Sequence, residues 1–312
     1  MARLLFIYNP NAGKGLIRRN LSDVLERLSA AGYKLSVFPT AKKGDAKECA
    51  AKRSLRHDYV VCSGGDGTLN EVVNGLMSLA VSGKEIPRLG YIPAGTVNDF
   101  ASSLEIPKNS DEAVEVVLKG IEKPTDIGSF ATGPTAKIFG YFTYVAAFGA
   151  FTEVAYQTPQ ETKNVIGKAA YFLEGIKSLQ YIRPYHIKVT YDDVTIEDDF
   201  IYGMITNSKS VGGFKGITGP SVYLDDGKFD AILIKNPRTP MDLQDIINSL
   251  LNMDMKTTNI YHFHAGKVVL LSDEKIQWTL DGESGGAHRI VTINDHRQAI
   301  NIMVPDKGGN FE

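Results

Sequence analysis

A chain of 312 residues is long enough for two lobes, each with its own core. An apolar share of 43%, a charged share of 22% and 30 glycines exclude the disordered and fibrous classes and leave a globular protein with many tight turns. With 34 Lys and Arg against 36 Asp and Glu, the formal net charge of −2 supplies no general basic field for a nucleic-acid backbone, so no nucleic-acid partner is expected.

The start MARLLFIYNP runs into a strand without a signal-peptide pattern, and Cys49 and Cys62 fit no zinc spacing, which together predict a cytoplasmic protein with reduced thiols. RLLFIYN reads as the first strand. In LIRRNLSDVLERLSAAG the apolar residues Leu21, Val24, Leu25 and Leu28 recur three and four apart, predicting a helix that Gly32 closes. Strand KLSVFPT, helix DAKECAAKRSL, strand DYVVCS, helix TLNEVVNGLMSL and strand RLGYIP follow. This alternation predicts an α/β lobe over residues 1–127, a parallel sheet with flanking helices.

From residue 128 the texture changes. KVTYDDVTIEDDFIYGMITN, KFDAILIK, KVVLLS and KIQWTL, separated by Asp-Gly and Gly-Gly turns, predict a mainly antiparallel β lobe over 128–296, with Trp278 in its core. Helices are expected around GKAAYFLEGIKSLQ and TPMDLQDIINSLLNM, the second capped by Thr239 ahead of Pro240. The tail, about 297–312, is expected to pack back onto the first lobe. The apolar run IFGYFTYVAAFGAF (138–151) is shorter than the ~18 residues that cross a bilayer, so it predicts a buried strand and only peripheral membrane contact.

Three glycine-bearing loops follow strands of the first lobe. In SGGDGTLNEVV, Thr68 and Glu71 have capping-box spacing, which predicts a helix start whose backbone N–H groups face Gly64–Gly67, a ready anion site. NPNAGKG (Asn9 to Gly15) offers Lys14 but lacks both the Walker A and the G-x-G-x-x-G spacing. PAGTVNDFA supplies Gly95, a capping Thr96, and Asn98 and Asp99 in a first helical turn. Singly, such loops are ordinary turns; three at the C-terminal ends of parallel strands predict one ligand crevice.

In the second lobe TLDGES places Glu283 just past an Asp-Gly turn, where a carboxylate within reach of a hydroxyl can act as general base, although a hairpin with an exposed acid is the commoner meaning. VYLDDGKFDAILI gathers Asp225, Asp226 and Asp230 around a turn; this suits a hard cation, with solvated acids the commoner case. His262 and His264 alternate in YHFHAG and share one face of a strand. With no third ligand nearby in sequence, they are read as ordinary histidines of a β lobe rather than as a metal site.

Taken in order, YNPNAG, GGDGTLNEVVNG, PAGTVNDFA, NSKSVGG, LDDGKFD and LDGE resemble the diacylglycerol kinase catalytic family, specifically its soluble bacterial lipid kinases, over nearly the whole chain. The resemblance implies an NAD-kinase-like α/β lobe followed by a β-sandwich lobe. It implies ATP- and Mg²⁺-dependent phosphorylation of a lipid hydroxyl, diacylglycerol to phosphatidic acid, by a homodimer working transiently at the inner face of the cell membrane. Carried over, Gly64, Gly65, Asp66, Gly67 and Thr68 form the nucleotide loop with Asn70 and Glu71 on the next helix turn. Asn9, Thr40, Gly95 and Thr96 join the nucleotide set. Asp66, Asp99 and Asp126 match acids that hold the catalytic Mg²⁺ directly or through water, Glu283 matches the general base, and Lys14 and Lys168 match basic residues of the site. Asp226 with the carbonyls of Tyr223 and Lys228 matches a structural Mg²⁺ site. One departure stands out: the family commonly has Asn-Asp-Phe-Ala-Arg, and here Ser102 replaces that arginine, a change that Lys14, Arg53 or another cation would have to offset. The alternatives are an NAD-kinase-like enzyme with a soluble substrate and a nucleotide- or lipid-binding sensor.

Overall fold

The computed structural model describes residues 1–149, 183–212, 214–215, 222–252 and 254–306; the helix expected around 167–180 and Lys168 lie outside them. Two compact units divide the chain, Met1–Ile127 with Arg297–Glu312, and Gly128–His296.

In the first unit β1 (Arg3–Tyr8) lies parallel between β2 (Lys34–Pro39) and β3 (Tyr59–Gly64), and β4 (Arg88–Pro93) extends the sheet beyond β3. The end of β15 (Glu283–Val304) adds to β4, also parallel, with Ile302 opposite Leu89. Leu4 to Ile7 and Val60 to Cys62 are buried without a break, the unalternating pattern of strands covered on both faces. Four helices were anticipated in kind: α1 (Leu16–Ala30), closed by Gly32 at φ 90°, α2 (Asp45–Arg53), α3 (Asp66–Ala80) and the short α4 (Asp99–Ser103). Helix α5 (Ser110–Lys119) was missed, although Asn109 caps it by accepting from the N–H groups of Asp111 and Glu112 at 2.8 and 3.3 Å.

Antiparallel strands build the second unit. Hairpin β8–β9 (Tyr185–Tyr191, Val194–Thr206) runs into β7 (Val145–Gly149) on one side of β9 and β12 (Phe229–Lys235) on the other; β13 (Ile260–Ala265) lies beyond β12. Strand β14 (Lys267–Leu280) pairs with β7, β8 and β15, β5 (Ile121–Thr132) pairs with β6 (Lys137–Phe142), and the two-residue strands β10 (Ser210–Val211) and β11 (Phe214–Lys215) pair with each other. Trp278 is fully buried, its ring 5.2 Å from Phe130 and 4.9 Å from Phe148. The run 138–151 is not one strand within the described residues: it breaks at Thr143–Tyr144 into β6 and β7. Helix α6 (Pro240–Asn252) begins as its cap predicts, the Thr239 hydroxyl accepting from Asp242 N–H and the Asp242 carboxylate from Thr239 N–H.

Where α2 crosses α3, a Cβ on Gly75 would fall 2.5 Å from the Lys47 carbonyl oxygen and 2.7 Å from Ala50 Cβ. A helix-interior Gly→Ala change ordinarily gains about 1 kcal/mol. Here backbone cannot yield, so Gly75→Ala is expected to destabilise the protein by roughly 1–2 kcal/mol net, measured by chemical denaturation; a gain in stability would contradict this packing.

Candidate functional site

All the strands β1 to β4 end on the same edge of the first unit's parallel sheet, and their loops are stitched together there by backbone and short side chains. Asn9 N–H donates to the Ser63 carbonyl at 2.9 Å, and Ala94 N–H to the Gly64 carbonyl at 2.8 Å. Asn9 Nδ2 reaches Thr68 Oγ1 at 3.4 Å. Glycine is required at the centre: a Cβ on Gly95 would sit 2.6 Å from Gly65 Cα, and one on Gly64 would collide with the Thr68 side chain. The two glycine loops therefore touch backbone to backbone at the start of α3.

Two predicted caps are corrected by this geometry. Helix α3 starts at Asp66, two residues before Thr68, and no side chain caps it. The Glu71 carboxylate turns instead to the loop after β2, accepting from Gly44 N–H at 2.7 Å and Ala46 N–H at 3.2 Å, so Glu71 positions α2 rather than closing a capping box. Thr40 stands in that same loop, its N–H bonded to the Tyr8 carbonyl at 2.9 Å. Likewise α4 starts at Asp99, after Asn98 in left-handed conformation (φ 56°), while Thr96 is exposed. The Asn98 amide closes the loop on Gly95, accepting from its N–H at 3.1 Å and donating to its carbonyl at 2.9 Å. Tyr91 supports both loops, its hydroxyl 3.1 Å from the Gly64 carbonyl and 3.3 Å from Asn98 Oδ1. Burial, with the Asp66 charge adding to it, holds that phenol well above its ordinary pKa, so it stays a donor.

Two of the predicted acids of this unit accept from backbone. The Asp66 carboxylate accepts from Asp99 N–H at 3.3 Å and Phe100 N–H at 3.4 Å, tying α3 to the first turn of α4. Asp126, fully buried, accepts at 2.6 Å from the N–H of Gln298, which has φ 51°. Asp99 is buried and Asn70 receives the Asn74 amide at 3.1 Å. Among the described residues the carboxylates of Asp66, Asp99 and Asp126 do not form a tight ligand cluster; that arrangement belongs to Asp230, His262 and His264. Direct coordination of one ion by all three acids is therefore not supported, whereas a Mg²⁺ that takes one carboxylate and keeps its waters fits the oxygen donors present. Lys14 lies in a 3₁₀ turn, Ala12–Gly15, and its side chain is not described. At position 102 the serine hydroxyl folds onto the Asn98 carbonyl at 2.9 Å, and Lys108, beyond α4, brings its ammonium to the Val97 carbonyl at 2.7 Å.

In the second unit, Glu283 is exposed and opens β15 opposite Leu280, across a two-residue turn whose members Asp281 and Gly282 both have positive φ, 50° and 80°. Asp281, absent from the sequence-based set, anchors this hairpin. Its buried carboxylate accepts from Thr143 N–H (2.7 Å), Thr143 hydroxyl (2.8 Å), Tyr144 N–H (3.0 Å) and Val145 N–H (3.0 Å), which is also why the 138–151 run breaks there. Burial holds the carboxyl above its ordinary pKa, against the pull of those backbone donors. At the other turn, the exposed Asp226 accepts from Lys228 N–H at 3.0 Å, and Tyr223 is also exposed.

Comparison with known proteins adds the context. A family model described as diacylglycerol kinase catalytic domain matches residues 3–130, and one described as YegS C-terminal NAD kinase beta sandwich-like domain matches residues 146–304. A diacylglycerol kinase of Bacillus subtilis (strain 168) is 34% identical over 314 residues, covering 100% of both chains. One of Staphylococcus saprophyticus is 34% identical, covering 99% of this chain and 98% of its own. The crystal structure of a candidate diacylglycerol kinase from Bacillus anthracis str. Sterne shares the fold at TM-score 0.80 and 27% identity, over 98% of this chain and 96% of that one.

Removing the charge that four donors converge on should be costly. Asp281→Asn turns an NH₂ group toward at least one of those donors, and we expect a loss of roughly 2–4 kcal/mol in chemical denaturation; a loss under about 0.5 kcal/mol would show that the hairpin does not depend on this carboxylate.

Proposed function

This chain belongs to the diacylglycerol kinase family, and we propose that it transfers the γ-phosphoryl group of ATP to the hydroxyl of a membrane-derived lipid, diacylglycerol foremost, giving phosphatidic acid and ADP. It is a phosphotransferase with an alcohol acceptor. The observation that carries the nucleotide assignment is the backbone contact of Gly65 with Gly95 at the start of α3, a helix N-terminus that no side chain caps and that no Cβ at these two positions screens. Phosphates held there need no lysine in the loop itself.

Phosphoryl transfer asks mainly for positioning and charge neutralisation. In the proposed arrangement Asn9, Thr40, Gly64, Gly65, Gly67, Thr68, Asn70, Gly95 and Thr96 hold the nucleotide, and Glu71 acts on it only by fixing the loop after β2. Asp66, Asp99 and Asp126 would hold Mg²⁺ singly or through water, where the ion offsets the phosphate charge. Lys14 and Lys168 add fixed positive charge, and Lys108 takes over part of what the family arginine supplies at position 102. Glu283 receives the proton of the lipid hydroxyl; the new O–P bond forms at the γ-phosphorus as its bond to the β-phosphate oxygen breaks, and ADP leaves. Asp226, with the carbonyls of Tyr223 and Lys228, would hold a structural Mg²⁺. In this reading the lipid is taken by peripheral contact at the inner face of the cell membrane; among the described residues no helix is long and apolar enough to cross a membrane. A homodimer is part of the same reading.

With radiolabelled ATP and mixed micelles of diacylglycerol, label is expected in the lipid phase and not in NAD; transfer to NAD alone would overturn the lipid assignment. A panel containing a sphingoid base, phosphatidylglycerol and a polyprenol identifies the acceptor. Glu283→Gln should lower kcat by about 10²–10⁴-fold with little change in the KM for ATP. Near-wild-type turnover at saturating substrates would remove Glu283 from the chemistry. Gly95→Ala is expected to raise the KM for ATP at least about tenfold through its clash with Gly65.

A further inference from the structure

We infer that Asp230, His262 and His264 form a binding site for a divalent transition-metal ion, Zn²⁺ foremost, on the β12–β13 pair of the second unit. Sequence spacing argued against a site because no third ligand lies near the two histidines; strand pairing supplies it. Asp230 stands directly opposite His264 and Ile232 opposite His262, so alternation along the strands turns both rings and the carboxylate to one face. His264 Nε2 lies 2.7 Å from Asp230 Oδ1 and His262 Nε2 3.7 Å from that same oxygen, and one donor atom from each residue falls within 4.8 Å of the others.

The carboxylate is what calls for a ligand. Asp230 is only 3% exposed, and its Oδ1 has no hydrogen-bond partner, since neither imidazole approaches with hydrogen-bond geometry. A buried carboxylate oxygen with two imidazole nitrogens within 3.7 Å and no hydrogen bond is poorly served by protein alone. Tetrahedral Zn²⁺, with bonds of about 2.0–2.1 Å, sets its donor atoms about 3.3 Å apart, a separation that the two N–O distances bracket. Two neutral imidazoles and one carboxylate suit Zn²⁺, Co²⁺ or Ni²⁺ and not the all-oxygen preference of Mg²⁺, so this site is chemically separate from the ions proposed for phosphoryl transfer. His264 is 46% and His262 26% exposed at the side chain, which leaves solvent access for entry and for a fourth ligand. A bound ion would cross-link two neighbouring strands and fix the exit of the 225–228 turn, from which β12 starts.

The test uses the full-length protein stripped of metal by chelation and dialysed. Titration calorimetry with Zn²⁺ is expected to give one equivalent bound at micromolar Kd or tighter, Co²⁺ to give the visible d–d bands of a low-symmetry site, and Zn²⁺ to raise Tm; millimolar Mg²⁺ should not compete. The exposed substitutions His264→Gln and His262→Gln should each weaken Zn²⁺ binding by about tenfold or more and abolish the Co²⁺ spectrum, with unchanged far-UV circular dichroism. His186→Gln serves as the control, because His186 lies 2.9 Å from Asp199 and 3.2 Å from Glu197 on another strand pair; it should leave binding unchanged. The inference is overturned if the wild type takes up no Zn²⁺ under these conditions, or if the folded His264→Gln variant binds it as the wild type does.

Discussion

The first unit turns on one steric fact: Gly65 and Gly95 meet backbone to backbone. No other residue type allows the loops after β3 and β4 to approach this closely, and every other feature of the site edge is arranged around the contact. Asn98 closes one loop on itself, Tyr91 reaches both, and Asn9 ties in the loop after β1. The result is a floor of tied peptide groups at the end of a parallel sheet, where helix starts concentrate N–H donors.

Acidic residues do a second kind of work here that their charge alone does not suggest. Asp66 accepts from the first turn of α4, Glu71 from the start of α2, Asp126 from Gln298 and Asp281 from the Thr143–Val145 turn. Each fixes a loop by accepting backbone N–H groups that would otherwise be unpaired. An acid so held has its orientation set before any ligand arrives, and charge-assisted hydrogen bonds of this sort lower the freedom that a cation or hydroxyl would otherwise have to remove on binding. The same logic places Glu283 on a hairpin pinned by its neighbour Asp281, two positions earlier.

Local signals carried much of the architecture. The period of Leu21, Val24, Leu25 and Leu28 specified α1, unbroken apolar runs specified the buried parallel strands, and Thr239–Pro240 specified the start of α6, because each of these depends on residues a few positions apart. The family was equally legible, since its ordered set of loop sequences can be read directly along the chain and family models match residues 3–130 and 146–304. Legibility failed at caps. Thr68 and Glu71 had the right spacing for a capping box, but the donors of Gly44 and Ala46 competed for Glu71, and nothing near it in sequence announces them. Helix α5 was missed although its signals are local, the Asn109 cap and the buried face of Ala113, Val114, Val116 and Val117.

What the sequence alone determined, then, was periodicity, turn chemistry and the identity of the loops, all properties of neighbouring residues. Tertiary structure decided which side chains meet: Asp66 with α4, Asp281 with a turn more than a hundred residues earlier, and Asp230 with His262 and His264. These pairings depend on strand register and chain crossings, where two residues distant in sequence share a face only because the sheet places them there, and no local pattern encodes that placement.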